Sequence, residues 1–215
     1  MVRRRTWIKG LALLCVCWAL MVIALGAYTR LTDSGLGCPD WPGCYGHLSV
    51  PDSLSSIRAV DKAYPGHPLV ANKAWPEMIH RYFAGSLGVF ILAFVILALR
   101  DCVIRKDRKS RLALYCLLGL LIYQPILGMW TVTLQLLPIV VSQHLLGGMS
   151  ILAFLWWQLL KYWAVRSPLV FRPSRLRPYA LGALILLLIQ IALGAWTSTN
   201  YAAFVCTDFP FCQLP

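Results

Sequence analysis

Two histidines carry the strongest chemical signal in this 215-residue sequence. His80 stands in Pro76-Glu77-Met78-Ile79-His80-Arg81, and His144 in Val141-Ser142-Gln143-His144-Leu145-Leu146-Gly147-Gly148, each near the start of a long apolar run. His80 lies four residues past Pro76 and His144 six past Pro138. At ~1.5 Å rise per residue, both sit roughly 6–9 Å below the same boundary. An ionisable group at such depth is costly in lipid and usually functional. Two imidazoles at matched depth on parallel helices of one bundle suit axial ligation of haem iron. Gly85 and Gly88 follow His80, while Gly147 and Gly148 follow His144. Small residues there are expected to leave room for a flat macrocycle. The alternative is that each imidazole hydrogen-bonds a neighbouring helix. A lone histidine favours that alternative; the depth-matched pair favours haem.

Glu77 precedes His80 by three positions, on the same helix face. It is either a proton-transfer group or an N-terminal acid complementing the helix dipole. Arg81 and Arg30 either meet haem propionates at the outer edge or extend to the interface. Of eight cysteines, Cys15, Cys17, Cys102 and Cys116 read as apolar packing residues or free thiols. The others form two C-x5-C pairs, Cys38 with Cys44 and Cys206 with Cys212. Pro39, Pro42 and Gly43 make the first loop compact enough for a Cys38–Cys44 disulfide. Each pair is a structural staple or a redox-active couple. A zinc site is weaker, because no histidine has finger-like spacing. His47 and His67 read as solvated.

The elements that must position these residues follow from composition. Hydrophobic residues make up 59% of the chain and charged residues 13%, whereas a soluble domain carries about 25% charged residues. Lipid must therefore solvate the chain, which excludes disorder, a collagen-like fold and a water-facing globule. Five apolar runs are near spanning length: Trp7–Tyr28, Pro76–Leu99, Leu112–Thr131, Pro138–Tyr162 and Tyr179–Thr197. Within lipid each can satisfy its backbone only as a helix. Arg3, Arg4 and Arg5 before the first run imitate a signal peptide, but the run is long for one. Fifteen of the twenty basic residues precede run one, lie between runs two and three or four and five, or stand, as Lys9 and Lys161 do, at the adjoining ends of runs one and four. The net charge of +12 is thus a topology signal rather than a nucleic-acid footprint. It places the N-terminus in the cytoplasm and the C-terminus and cysteine loops outside. The outer loop, residues 29–75, is too long for a mere connector.

An internal repeat adds to this. Ala24 to Cys44 reads ALGAYTRLTDSGLGCPDWPGC, and Ala192 to Cys212 reads ALGAWTSTNYAAFVCTDFPFC. A partial echo, Leu127-Gly128-Met129-Trp130-Thr131, closes the third run. Interfacial aromatics account for the Tyr and Trp, but not for cysteines at identical spacing. The fifth helix therefore begins a second copy of the first bundle. The expected division is residues 1–162 as a four-helix bundle and 163–215 as an incomplete second repeat, part of a longer protein.

TRLTDSGLGCPDWPGC, the EMIHR opening of the second helix, SQHLLGG in the fourth and NYAAFVCTDFPFCQ after the fifth together resemble the haem A synthase family. The resemblance implies an all-α polytopic membrane protein of a bacterial inner membrane, with two four-helix bundles in the complete protein. It implies oxidation of the C8 methyl of haem O to the formyl of haem A for cytochrome oxidase. His80 and His144 match the histidines holding the substrate haem, Glu77 matches the catalytic carboxylate, and Cys38 with Cys44 match the loop pair. Haem b is expected in the second bundle, whose histidines would fall beyond Pro215. Haem O synthase, cytochrome oxidase assembly factors and a second copy are the partners such a protein could meet. Two other functions fit the residues: a haem-binding assembly subunit without activity, and a quinone-linked membrane thiol oxidoreductase.

Overall fold

A computed structural model describes residues 2–104, 106–163 and 176–202. They form six helices: α1 Val2–Leu31, α2 Leu54–Ala63, α3 Ala71–Ile104, α4 Arg108–Thr133, α5 Pro138–Trp163 and α6 Arg177–Thr199. All but α2 are long and apolar enough to cross a membrane. The chain is an all-α multi-pass membrane protein, and no described residue lies in a β-strand.

The long helices outrun their apolar cores, because polar turns beyond the hydrocarbon can remain helical when capped. At α4, the Asp107 carboxylate accepts from the Ser110 amide at 3.0 Å and the Ser110 hydroxyl at 2.6 Å. That cap moves the helix start upstream of Leu112. Helix α3 begins at Ala71 rather than at Pro76. The Val70 carbonyl accepts from Lys73 and Ala74 at 2.9 and 3.0 Å, building a first turn before the proline. Asp33 and Lys73, 2.7 Å apart, then tie the end of α1 to that added turn.

Helix α2 lies inside the outer loop. Ser53 caps it by accepting from the Ser56 amide at 3.2 Å. Leu54, Ile57 and Val60 recur at helical spacing, and Val60 is buried against Cys38, Cys44, Tyr45, Ala74 and Met78. The outer loop thus has a small core of its own.

The long helices make a four-membered ring. Helix α1 packs on α3 and α5, and α4 packs on the same two. Among the described residues the backbones of α1 and α4 stay apart, as do those of α3 and α5, so these pairs are diagonals; Phe94 of α3 still reaches Tyr162 of α5 edge-on, with ring centroids 6.4 Å apart. Phe94, Ile91, Leu114, Leu117 and Leu155 fill the middle of the ring. Trp18 locks α1 to α3, donating to Phe83 O at 3.1 Å and Ser86 Oγ at 2.9 Å while stacking on Phe83. Helix α6 leans on α5. At the basic end Lys161 of α5 contacts the Ser110 hydroxyl and lies 3.8 Å from Asp107.

Candidate functional site

The helices carrying the two histidines are a diagonal of the ring, α3 for His80 and α5 for His144. Each imidazole is half-buried. In both, Nδ1 is buried with no hydrogen-bond partner. An unpaired buried nitrogen costs free energy, so each imidazole has a bonding position that a ligand could fill.

The donor set says what ligand fits. Among the described residues no group of three or more His, Cys, Asp or Glu side chains is placed to hold a metal ion. Two imidazoles suffice for an iron whose equatorial positions are already filled, as in haem. His47 and His67 are exposed in the outer loop. His80 and His144 are therefore the chain's only histidines on long helices.

One turn toward the loop end from His80, Glu77 is buried, with 4% of its surface exposed. Its Oε2 accepts from the Cys38 amide at 2.9 Å, and its Oε1 accepts from Arg81 Nη2 at 2.5 Å. The first turn of α3 holds no acid. With α3 starting at Ala71, Glu77 sits in the second turn, so it does not act on the helix dipole. The other terminal nitrogen of Arg81 donates to the carbonyls of Asp40, Pro42 and Gly43 at 3.0, 3.3 and 2.5 Å. Arg81 thus clamps the loop that Cys38 and Cys44 close.

Cys38 and Cys44 form a disulfide across six residues. Both are fully buried. Burial shields the sulfurs from partner thiols, which favours the staple over the redox couple. The Asp40 carboxylate accepts from the Tyr45 and Gly46 amides at 2.6 and 2.7 Å. Burial, then the Asp40 charge, push the Tyr45 phenol above its ordinary value. It stays neutral and donates to Pro68 O at 3.1 Å. Gly37 is obligatory here: a Cβ on it would stand 2.4 Å from Lys73 O, so only glycine lets the loop lie on α3. Cys206 and Cys212 lie outside the described residues.

Arg30 turns toward α6, where it donates to the Tyr201 hydroxyl at 2.8 Å and Ser198 O at 2.5 Å and lies over the Tyr201 ring. Both arginines therefore bind protein groups in this structure. The expectation for the glycines needs correction. A Cβ on Gly147 would stand 2.5 Å from Gln124 Nε2, so that space holds an amide, and Gly148 faces the same group. Gly88 meets Leu121, and only Gly85 of the four has nothing within 4 Å.

Comparison with known proteins gives consistent results. The family model described as cytochrome oxidase assembly protein matches residues 9–214. The heme A synthase of Shewanella oneidensis is 45% identical over 212 residues, covering 97% of this chain and 61% of the relative. That of Caulobacter sp. K31 is 32% identical, covering 88% of this chain and 59% of the relative. That of Bacillus licheniformis is 26% identical, covering 96% and 63%. The chain thus spans about three-fifths of the length of these relatives. No solved structure matches it.

Proposed function

Because the chain belongs to the cytochrome oxidase assembly protein family, we propose that it forms the substrate-haem bundle of a haem A synthase of a bacterial inner membrane. The substrate is haem O, and the reaction takes its C8 methyl to the formyl of haem A. Counted with water as the oxygen source, that change consumes one water and releases four protons and four electrons, the electrons passing to an external electron acceptor. The observation that carries the reading is the pair of unpartnered imidazole nitrogens on two helices whose backbones stand apart on a diagonal of the ring.

His80 and His144 hold the iron and orient the macrocycle. The apolar interior keeps bulk water from the reacting edge. Glu77, one turn from His80, is the carboxylate positioned to take a proton, with Arg81 and the Cys38 amide fixing its two oxygens. The disulfide loop covers this end of the bundle. Haem O synthase as the supplier of substrate, and assembly factors of the oxidase as recipients of product, follow from the chemistry of the two haems. Haem b belongs to a second bundle, since both long-helix histidines here are assigned to the substrate.

The test is spectroscopic. The purified protein loaded with haem O is expected to show a low-spin, bis-imidazole spectrum. His80→Ala and His144→Ala should each remove it and stop oxidation, and the double variant should be little worse than either, as for groups acting as one unit. Retention of that spectrum by both single variants would overturn the reading.

A further inference from the structure

Helices α1 and α4 end in related sequence, Leu25-Gly26-Ala27-Tyr28-Thr29 and Leu127-Gly128-Met129-Trp130-Thr131. The two glycines make the same contact. A Cβ on Gly26 would stand 2.9 Å from Cε1 of His80, 3.4 Å from its Nδ1 and 3.5 Å from its Nε2. A Cβ on Gly128 would meet only His144, at 3.5 Å from Cε1 and 4.0 Å from Nε2.

The coincidence has a physical reason. In an α-helix the carbonyl of residue i−4 accepts from the N–H of residue i. Each Cβ leans toward the helix N-terminus, over the preceding turn. A side chain at residue 26 or 128 would therefore cover the carbonyl of residue 22 or 124. Glycine uncovers it and lets the ring lie against it; neither Nδ1 is hydrogen-bonded in this structure, and the carbonyl has a second lone pair that an imidazole N–H turned toward it would meet. Such a bond sets tautomer and ring orientation and raises the basicity of the nitrogen left for a metal. On the α4–α5 side the contact is mutual, because Gln124 Nε2 donates to His144 O at 3.0 Å through the space left by Gly147.

We propose that Gly26 and Gly128 are positioning residues: two matched backbone notches, on the corners of the ring flanking the site, that seat and orient the iron-binding imidazoles. The inference rests on the haem reading above, and His80→Ala tests that reading separately. Gly194 is the control. It occupies the same place in the α6 copy of the motif, yet nothing lies within 4 Å of its Cβ position.

The experiment loads the detergent-purified chain with iron protoporphyrin IX and reads affinity, the ferric low-spin electron paramagnetic resonance signal and the midpoint potential. Gly26→Ala should push the His80 ring off the carbonyl, weaken binding roughly 10–100-fold, change the resonance signal and raise the potential, because the ligand becomes a poorer donor to ferric iron. Gly128→Ala, at ordinary contact distance, should do little, whereas Gly128→Val should repeat the Gly26→Ala result. Gly194→Ala should leave all three readouts at parental values. The potential and resonance report only on molecules that have bound haem. A variant that merely inserts poorly would lower yield without moving them, and that result would overturn the proposal. So would parental affinity and spectra in Gly26→Ala while His80→Ala loses the haem, or equal shifts in Gly26→Ala and Gly194→Ala.

Discussion

Glu77 in α3 accepts the amide hydrogen of Cys38 at 2.9 Å, across 39 residues of sequence. A buried carboxylate next to the proposed iron ligand is thereby joined to the first cysteine of the disulfide loop. Glu77→Gln keeps the size and an oxygen for that amide but loses the acid and the charge facing Arg81. It should retain haem binding and lose product formation, read by chromatography of extracted haem. Normal turnover in this variant would remove Glu77 from the mechanism.

Arg81→Ala should act mainly on the fold. It strips a donor from three loop carbonyls and leaves the Glu77 carboxylate buried without its partner. Losing one member of a buried pair costs about 3–5 kcal/mol. Thermal unfolding in detergent should fall accordingly, and the loop should become open to proteases. Arg81→Lys should recover only part of the loss, because an ammonium lacks the planar fork.

The disulfide should resist reductant in the native protein, since both sulfurs are buried. Mass spectrometry after alkylation without reduction should recover Cys38 and Cys44 linked to each other. Cys38→Ser should lower stability by about 2–3 kcal/mol on the chain-entropy model for so short a loop. Alkylation at both positions in unreduced protein would contradict the bond.

The glycines following the histidines should part company. Gly147→Ala crowds Gln124 and should destabilise by about 1–3 kcal/mol, as overpacking does. Gly85→Ala meets nothing and should leave unfolding unchanged or raise stability by up to about 1 kcal/mol. Equal effects in thermal unfolding would show that the Gln124 contact has no energetic weight.

Orientation rests on fifteen basic residues at one end. A periplasm-dependent reporter fused near Lys106 should be silent, and one fused after Pro215 should be active. The reverse pattern would put the disulfide loop in a reducing compartment.

The spans, the four-helix bundle and the Cys38–Cys44 bond were legible because hydropathy and local loop chemistry act over short stretches of chain. The early turn of α3 was not, since Pro76 reads as a start and the turn before it is held by Val70 and the packed loop. Helix α2 had a local signal in Ser53 and the Leu54, Ile57, Val60 spacing, masked by the polar loop around it. The task of Arg81 depends on loop carbonyls 38 to 41 residues away, a closure that no local pattern encodes. Gly26 and Gly128 read as parts of an interfacial motif; that each faces a histidine emerges only from how neighbouring helices pair.

The wide α3–α5 diagonal, where the backbones stay apart and Phe94 on Tyr162 makes an aromatic contact across it, has a mechanical consequence. A square of four rods joined along its sides shears easily, whereas one diagonal brace makes it stiff. A macrocycle held by His80 and His144 would be that brace, spanning the diagonal toward the end opposite the Phe94–Tyr162 contact. Loading should then slow amide exchange along all four rods, including α1 and α4, which supply no iron ligand. For product to leave, the frame must become compliant again, so release and loss of stiffness would be one event.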